Sequence, residues 1–163
     1  MSEFVLALGS NMGSRGGFLS RALSQIARFC EVKKVSQVYE TAPAGYLNQG
    51  DFLNCAAFCG AQIEPLELLK KCGEVEESLG RTRPFKDAPR TIDIDIIFYE
   101  DIKMRTPILE IPHPRWRGRD FVITPLLDLR DGGAFEAQKF AFIKDFLKDK
   151  TRKFEPVKDY ERR

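Results

Sequence analysis

Two aspartates separated by a single residue are the first feature of the sequence with chemical potential. Asp93 and Asp95 flank Ile94 inside Thr91–Tyr99, an apolar run of the kind that forms a strand. Side chains alternate along a strand, so both carboxylates share one face, about 6.6 Å apart at the backbone. Such a pair repels unless a cation lies between, and Mg²⁺ prefers oxygen ligands that it shares with substrate phosphates. The spacing predicts a metal site, with a solvent-facing or salt-bridged pair as the alternative.

A basic loop precedes this pair. It carries Arg81, Arg83, Lys86 and Arg90, and Asp87 is the single opposing charge. Guanidinium groups match phosphate oxygens with two parallel hydrogen bonds. Carboxylates beside a movable arginine loop suit phosphoryl transfer, in which catalysis consists mostly of positioning and charge neutralisation. The alternative is a loop whose arginines neutralise the aspartates internally.

A histidine in a rigid, basic segment is a further candidate for phosphate binding. His113 lies between Pro112 and Pro114 and is followed by Arg115, Arg117 and Arg119. Beside several arginines, an imidazole can donate a hydrogen bond to a phosphate. A purely structural histidine is the alternative. The glycines from Gly9 to Gly17 match neither the P-loop nor the dinucleotide-binding pattern, and we expect a tight turn there.

Two phenylalanines and an asparagine suggest a slot for a flat heterocycle. Phe52 and Asn54 share one face of a predicted strand, and Phe121 follows much later. Aromatic rings and an amide would stack against and hydrogen-bond a planar ligand. Taken alone, all three are also ordinary core residues.

Positioning these side chains requires a sheet, and the hydrophobic pattern supplies its strands. Alternating or apolar runs bounded by Gly and Pro are typical of strands, and apolar residues three and four apart are typical of helices. The pattern predicts strands within Phe4–Leu8, Val32–Val38, Phe52–Ala61 and Thr91–Tyr99, with one helix after Gly17 and another from Pro65 to Leu79.

The resulting order, βαββαβ, is similar to the ferredoxin-like split βαβ arrangement. We therefore expect an α+β fold: an antiparallel sheet, helices packed on it, and a C-terminal helical elaboration. The stretch from Pro107 to Pro125 predicts an irregular connection. A short helix carrying Phe140, Ile143 and Leu147 follows it.

Composition narrows the possible partners. The chain has 163 residues, of which 43% are hydrophobic and 31% charged, so we expect one domain over residues 1–163. The tail from Lys148 carries a charge of +3 and the remainder −1, so no overall nucleic-acid footprint is present. We expect small-molecule substrates, no nucleic acid, no membrane and a monomer.

Cysteine spacing and hydropathy suggest the compartment. Cys30, Cys55, Cys59 and Cys72 show no zinc spacing, which favours reduced core residues. The uncharged stretch Phe52–Ile63 is too short to cross a bilayer. The sequence begins without a basic signal-peptide region, so we expect a cytoplasmic protein.

Several of these segments together resemble the 6-hydroxymethyl-7,8-dihydropterin pyrophosphokinases, the folate-pathway enzymes that move pyrophosphate from ATP to a pterin alcohol. The resemblance runs from Phe4 to about Leu129. It rests on Leu8-Gly9-Ser10-Asn11, Tyr39-Glu40-Thr41-Ala42-Pro43, Phe52-Leu53-Asn54, Gly80-Arg81-Thr82-Arg83, Pro89-Arg90-Thr91-Ile92-Asp93-Ile94-Asp95-Ile96 and Ile111-Pro112-His113-Pro114-Arg115.

The resemblance implies a role for each group of residues. Asp93 and Asp95 would bind two Mg²⁺ ions that bridge the ATP phosphates to the pterin hydroxyl, and Arg81 and Arg90 would stabilise charge on the transferred group. The implied ATP contacts are Arg83, Ile96, His113 and Arg119. The implied pterin contacts are Asn54, the rings of Phe52 and Phe121, and the backbone near Thr41, Ala42, Pro43 and Ala44.

Two other function classes stay open on the residues alone. One is a Mg²⁺-dependent nuclease that uses the aspartate pair, which would require a basic track outside the site. The other is a non-enzymatic RNA-binding module that uses the arginines after His113, for which stacking aromatics on adjacent strands are usual. Release of AMP from Mg²⁺-ATP and the reduced pterin distinguishes the pyrophosphokinase from both.

Overall fold

The computed structural model describes all residues from 1 to 163 and contains seven strands and four α-helices. In chain order these are β1 (Ser2–Ser10), α1 (Arg15–Ile26), β2 (Glu31–Val35), β3 (Tyr39–Thr41), β4 (Phe52–Ala61), α2 (Pro65–Ser78), β5 (Asp93–Tyr99), β6 (Met104–Arg105), β7 (Glu110–Ile111), α3 (Asp120–Asp131) and α4 (Ala141–Leu147). No helix is both long and apolar enough to span a bilayer.

The main sheet is antiparallel, with strand order β2-β4-β1-β5 and with β3 paired to the other end of β4. Strands β6 and β7 form a separate hairpin. This arrangement confirms the predicted α+β fold. The single strand predicted over Val32–Val38 is wrong, because β2 ends at Val35 and β3 begins at Tyr39. Residues 36–38 belong to no strand, and the Ser36 hydroxyl accepts a hydrogen bond from the Ala56 amide.

Each face of the sheet is covered by one pair of helices. On the first face, Phe4, Leu6 and Leu8 of β1 belong to a core cluster with residues of α1 and α2. On the second face, Val5 and Phe58 belong to a cluster with α3 and α4. Alternation along the strands places Asp93, Asp95 and Asn54 on the second face, beyond the region that α3 covers.

Helix α3 lies where the sequence predicted an irregular connection, so that prediction is wrong over residues 120–125. Pro125 lies inside the helix and removes one backbone donor, at a cost of about 3 kcal/mol. Burial of each large apolar side chain contributes about 1.5–3 kcal/mol and outweighs this cost. The residues concerned are Val122, Ile123, Leu126, Leu127 and Leu129. Helix α4 agrees with the predicted short helix.

The C-terminal segment, residues 152–163, crosses three elements of the domain. Arg152 forms ion pairs with Asp128 and Asp131 of α3, at 2.8 and 2.7 Å. The Val157 amide donates to the Val38 carbonyl at 2.7 Å, immediately before β3. At its end, the Arg163 carbonyl accepts a hydrogen bond from the Gly16 amide of α1 at 3.0 Å.

Gly16→Ala tests this docking. A Cβ at position 16 would overlap the Tyr160 carbonyl oxygen, so the segment must move. We expect the free energy of unfolding, measured with urea, to fall by about 1–3 kcal/mol. Gly73→Ala is the control: Gly73 lies exposed in α2 with nothing within 4 Å of the added carbon. That variant should gain about 0.5–1 kcal/mol. Equal or greater stability of Gly16→Ala would contradict the docking.

Candidate functional site

The floor of the site is a row of three residues across adjacent strands. Gly9 of β1 pairs with Asn54 of β4 on one side and with Asp93 of β5 on the other. In the next row, Ala7 lies between Ala56 and Asp95. A Cβ at Gly9 would lie 2.9 Å from the Asn54 side-chain oxygen. Small residues in β1 therefore leave a depression between the amide and the carboxylates.

Two adjoining cavities open over this floor. The first, which we call the aromatic slot, is lined by Phe52, Phe121 and Asn54. The first few residues of the β3–β4 loop, which spans residues 42–51, also line it. The second, which we call the basic cleft, is lined by Arg81, Arg83, Lys86 and His113, among others. The two cavities share Asp87, Arg90, Asp93, Asp95, Arg115 and Arg119. The aspartate pair thus lies at their junction.

The two aspartates differ in the positively charged side chains that lie beside them. Asp93 accepts a hydrogen bond from Arg81 Nη1 at 2.8 Å, and its other oxygen lies 3.6 Å from Arg90 Nε. For Asp93 the structure therefore shows the salt-bridged alternative. Asp95 has no such partner: burial, followed by the nearby charge of Asp93, raises the pKa of Asp95 to about 7.

This donor set fits a hard divalent cation. Asp95 is a carboxylate whose ionised form lacks a neighbouring ion-pair partner, and a cation would supply that charge. No group of three or more His, Cys, Asp or Glu side chains is close enough to hold a metal ion. Asp93 and Asp95 would thus supply two ligands, and substrate phosphates and water the others, which is the usual composition of a Mg²⁺ site.

Glu76 of α2 is a site residue that was not predicted from the sequence. Its buried carboxylate accepts hydrogen bonds from Arg81 Nη1 at 2.6 Å, Arg83 Nη2 at 3.1 Å and the Ile94 amide at 2.8 Å. Burial raises the pKa of Glu76, and the Arg81 charge opposes that rise. Glu76 follows Cys72 by four residues, about one helical turn. It therefore lies within the apolar stripe of α2, the buried face that also carries Leu68 and Val75. A charged residue in that stripe is the signal that could have revealed it.

His113 is neutral and held as one tautomer. Burial, with the charges of Arg119 and Arg115, lowers the pKa of His113 to about 4. Its Nδ1 accepts a hydrogen bond from the Arg115 amide at 3.1 Å. The proton of the neutral ring is therefore on Nε2, which leaves this atom as a donor for a phosphate oxygen.

Hydrogen bonds and cation–π contacts hold the side chains of the aromatic slot in place. The Asn54 amide nitrogen donates to Thr41 Oγ1 at 2.7 Å, which fixes the amide plane. The Arg90 guanidinium lies 4.7 Å from the centre of the Phe52 ring, and that of Arg119 lies 5.3 Å from the Phe121 ring. These cation–π contacts connect the arginines of the cleft to the rings of the slot.

The β3–β4 loop and the arginine loop, residues 81–92, contact each other above the site. The rings of Tyr46 and Phe85 meet edge to face at 5.1 Å. Gln49 donates to the Asp87 carbonyl at 3.1 Å. Asn11 joins both loops, because its amide group donates to Gln49 at 2.7 Å and accepts from the Arg90 backbone at 2.9 Å. The sequence pattern around Asn11 predicted only a turn and gave no sign of this bridge.

Most of the predicted site residues meet here. Thr41, Ala42 and Ala44 line the aromatic slot with Phe52, Asn54 and Phe121. Two predicted residues do not line either cavity: Pro43 and Ile96. Ile96 is buried on the opposite face of the sheet, in the core beneath α1 and α2, so the structure does not bring it to the site.

Known proteins resemble this chain over most of its length. The family model for 7,8-dihydro-6-hydroxymethylpterin-pyrophosphokinase matches residues 5–131. A 2-amino-4-hydroxy-6-hydroxymethyldihydropteridine pyrophosphokinase of Aquifex aeolicus is 43% identical over 129 residues, covering 79% of this chain and 81% of that protein. The protein of the same name from Bacillus subtilis is 40% identical over 126 residues, covering 76% of this chain and 75% of its own length.

Other relatives are longer. The bifunctional protein FolKE of Lactococcus lactis is 43% identical over 133 residues, and this chain spans 38% of its length. A solved HPPK-DHPS structure from Plasmodium falciparum superimposes with a TM-score of 0.63 at 17% identity, covering 78% of this chain and 41% of that one. At that identity, the structural match shows a shared fold.

His113 is the only histidine, so its titration can be followed without ambiguity by ¹H–¹⁵N NMR. We expect an imidazole that is neutral at pH 6 and carries its proton on Nε2, with a midpoint near 4. In the urea-unfolded chain the midpoint should return to about 6.5. Because the unfolded chain binds more protons between these values, folding stability should fall as pH falls through that window. A midpoint of 6.5 in the folded protein would contradict the burial.

Glu76→Gln tests the carboxylate beneath the arginines. The variant keeps the side chain's shape but turns one acceptor into a donor that faces a guanidinium. We expect the free energy of unfolding to fall by about 1.5–3 kcal/mol, measured with urea. Glu77→Gln, at the exposed neighbouring position, should leave it unchanged. Similar urea midpoints for the two variants would show that Glu76 does not hold the arginines.

Proposed function

The chain belongs to the 7,8-dihydro-6-hydroxymethylpterin-pyrophosphokinase family, and we propose that its aromatic slot binds the reduced pterin while its basic cleft binds the triphosphate of ATP. The enzyme transfers pyrophosphate from ATP to 6-hydroxymethyl-7,8-dihydropterin in folate biosynthesis. The two cavities would divide the tasks of that reaction between them.

One observation carries the assignment: Asp93 and Asp95 line both cavities at once. An alcohol on a ligand in the slot and a polyphosphate in the cleft would therefore meet at the carboxylates. Proximity of this kind converts an encounter of two substrates into a reaction within one complex.

The aromatic slot recognises the pterin. Phe52 and Phe121 offer ring faces to a flat heterocycle. The Asn54 nitrogen already donates to Thr41, so its carbonyl oxygen and remaining N–H can pair with the polar edge of the pterin. A site built to satisfy such an edge discriminates strongly against ligands that lack it.

The basic cleft binds the triphosphate. Arg81, Arg90 and Arg119 present guanidinium groups, and neutral His113 presents its Nε2 proton. Hydrogen bonds to ionised groups are about twice as strong as neutral ones. Arg90 also contacts Phe52, so it is placed to follow the transferred group from the nucleotide towards the pterin.

We propose that Asp93 and Asp95 hold the two Mg²⁺ ions of the reaction. When bound there, the ions would neutralise charge on the phosphates and orient the reacting oxygens. Arg81 pairs with Asp93 and also with Glu76 on α2. It can therefore redirect hydrogen bonds to a phosphate while staying in the site.

The reaction itself is a displacement at the β-phosphorus. The pterin hydroxymethyl oxygen forms a bond to that phosphorus and loses its proton. The bond to the oxygen that bridges the α- and β-phosphates breaks, and AMP leaves with the electron pair. Arginines aimed at the transferred group stabilise the charge that develops on its oxygens.

Compartment and assembly are also proposals. The four cysteines are free thiols, which is typical of a reducing compartment such as the cytoplasm. Both cavities are built from one chain, so we propose that the enzyme acts as a monomer.

Asp95→Asn tests the carboxylate at the junction. We expect the rate of AMP release from Mg²⁺-ATP and the reduced pterin to fall by at least about 100-fold. The fold should persist, because burial already disfavours the ionised carboxylate that the variant removes. Asp101→Asn, an exposed position just after β5, should retain full activity. Undiminished AMP release by Asp95→Asn would remove the proposed role.

A further inference from the structure

Arg15, the first residue of α1, joins the two stems of the β3–β4 loop. Its Nη1 donates to the Glu40 carboxylate at 2.7 Å and to the Asp51 carbonyl at 3.0 Å. Glu40 belongs to β3 and Asp51 immediately precedes β4, so one guanidinium nitrogen spans both ends of the loop. We call this contact the Arg15 clasp.

The clasp lies at the end of a short strand. Strand β3 has three residues, and its register with β4 ends at the pair Thr41 and Phe52, where the loop departs. Three residues are the short end of the usual range for strands, so β3 has few backbone hydrogen bonds of its own. The clasp lies beside the last of these pairs and keeps the strand ends together.

The C-terminal segment braces the same strand from the other side. Pro156 forms a bridge with Tyr39, and the Arg163 guanidinium lies 3.9 Å from the Glu40 carboxylate. Gly16, next to Arg15, packs directly against the main chain of Tyr160. These contacts restrict the approach of α1 to β3, and thereby the place of the Arg15 side chain.

Thr41 is the residue of β3 that lines the slot. Its hydroxyl accepts the hydrogen bond that fixes the Asn54 amide, and both residues line the slot. Arg15 lines neither the slot nor the cleft. Any effect of Arg15 on the reaction must therefore pass through the loop stems and not through contact with a substrate.

We propose that Arg15 is a positioning residue for the reduced pterin, acting through the loop stems that it clasps. The inference rests on the proposed function of the aromatic slot. Loosening the stems lets Thr41 move, and the Asn54 amide then loses its fixed plane. Pterin binding weakens as a result, because part of the binding energy goes into ordering the slot. The cleft changes less than the slot, because Arg81 keeps its own ion pairs with Glu76 and Asp93.

Arg15→Gln is the variant that opens the clasp. We expect the KM for the reduced pterin to rise about tenfold, since a hydrogen bond to a charged group contributes that much or more. The kcat and the KM for Mg²⁺-ATP should change by less than about twofold, because ground-state positioning of one substrate is what is lost. Arg15→Lys keeps the charge, and should recover part of the pterin affinity.

The matched control is Arg21→Gln on the same helix. Arg21 is exposed, and its guanidinium contacts Phe18 and the Gly17 carbonyl within α1. Its pterin KM should equal that of the unmodified protein. An unchanged pterin KM in Arg15→Gln, an equal rise in Arg21→Gln, or no recovery in Arg15→Lys would each overturn the inference.

Glu40→Gln removes the carboxylate that accepts the Arg15 hydrogen bond, and it should reproduce the rise in pterin KM. It also decides the question if Arg15→Gln proves too unstable to assay.

Amide hydrogen exchange gives a second readout that needs no turnover. In the substrate-free protein, exchange in residues 42–51 should accelerate in Arg15→Gln and not in Arg21→Gln. Unaltered exchange there overturns the inference even if kinetics change. By contrast, failure of the unmodified protein to release AMP from Mg²⁺-ATP and the reduced pterin overturns the proposed function, and the exchange comparison still decides whether the clasp orders the loop.

Discussion

The site depends on one constraint, the absence of a side chain at Gly9. The antiparallel register of β4, β1 and β5 fixes Asn54 and Asp93 on either side of this residue. Neighbouring strands are about 4.8 Å apart, so the amide and the carboxylate stand about 10 Å from each other at the backbone. A methyl group at Gly9 would meet the Asn54 oxygen at 2.9 Å and fill the space between them. On the proposed function, the sheet itself thus sets the distance between the group that recognises the pterin and the group that holds the metal.

Electrostatic balance explains how so many charges coexist at the junction. Arg81 lies between Glu76 and Asp93, at 2.6 and 2.8 Å, and these carboxylates together raise its pKa although burial lowers it. Asp95 is left without an equivalent partner. Asp93 is therefore neutralised by arginine, whereas Asp95 lacks an ion-pair partner. On the proposed function, a polyphosphate with its cations would supply both signs of charge, new acceptors for the arginines and a counter-ion for Asp95.

Local periodicity was sufficient to predict which residues of each strand share a face. Asp93 and Asp95 share a face because the strand period is two, and Phe52 and Asn54 do so for the same reason. Glu76 was missed because its partners come from a loop and from β5, and a helical pattern alone does not show which element covers a charged residue. Helix α3 was missed because Pro125 argues locally against a helix, whereas burial against the sheet decides in favour of one. Arg15 was missed because its partners lie 25 and 36 positions away in the sequence.

The contact between the β3–β4 loop and the arginine loop has a thermodynamic consequence. Tyr46 and Phe85 touch, and Asn11 is hydrogen-bonded to both loops, so part of any movement of one loop reaches the other. If occupancy of the cleft changes the affinity of the slot, occupancy of the slot must change the affinity of the cleft by the same factor. Whatever cooperativity the two substrates show is thus reciprocal.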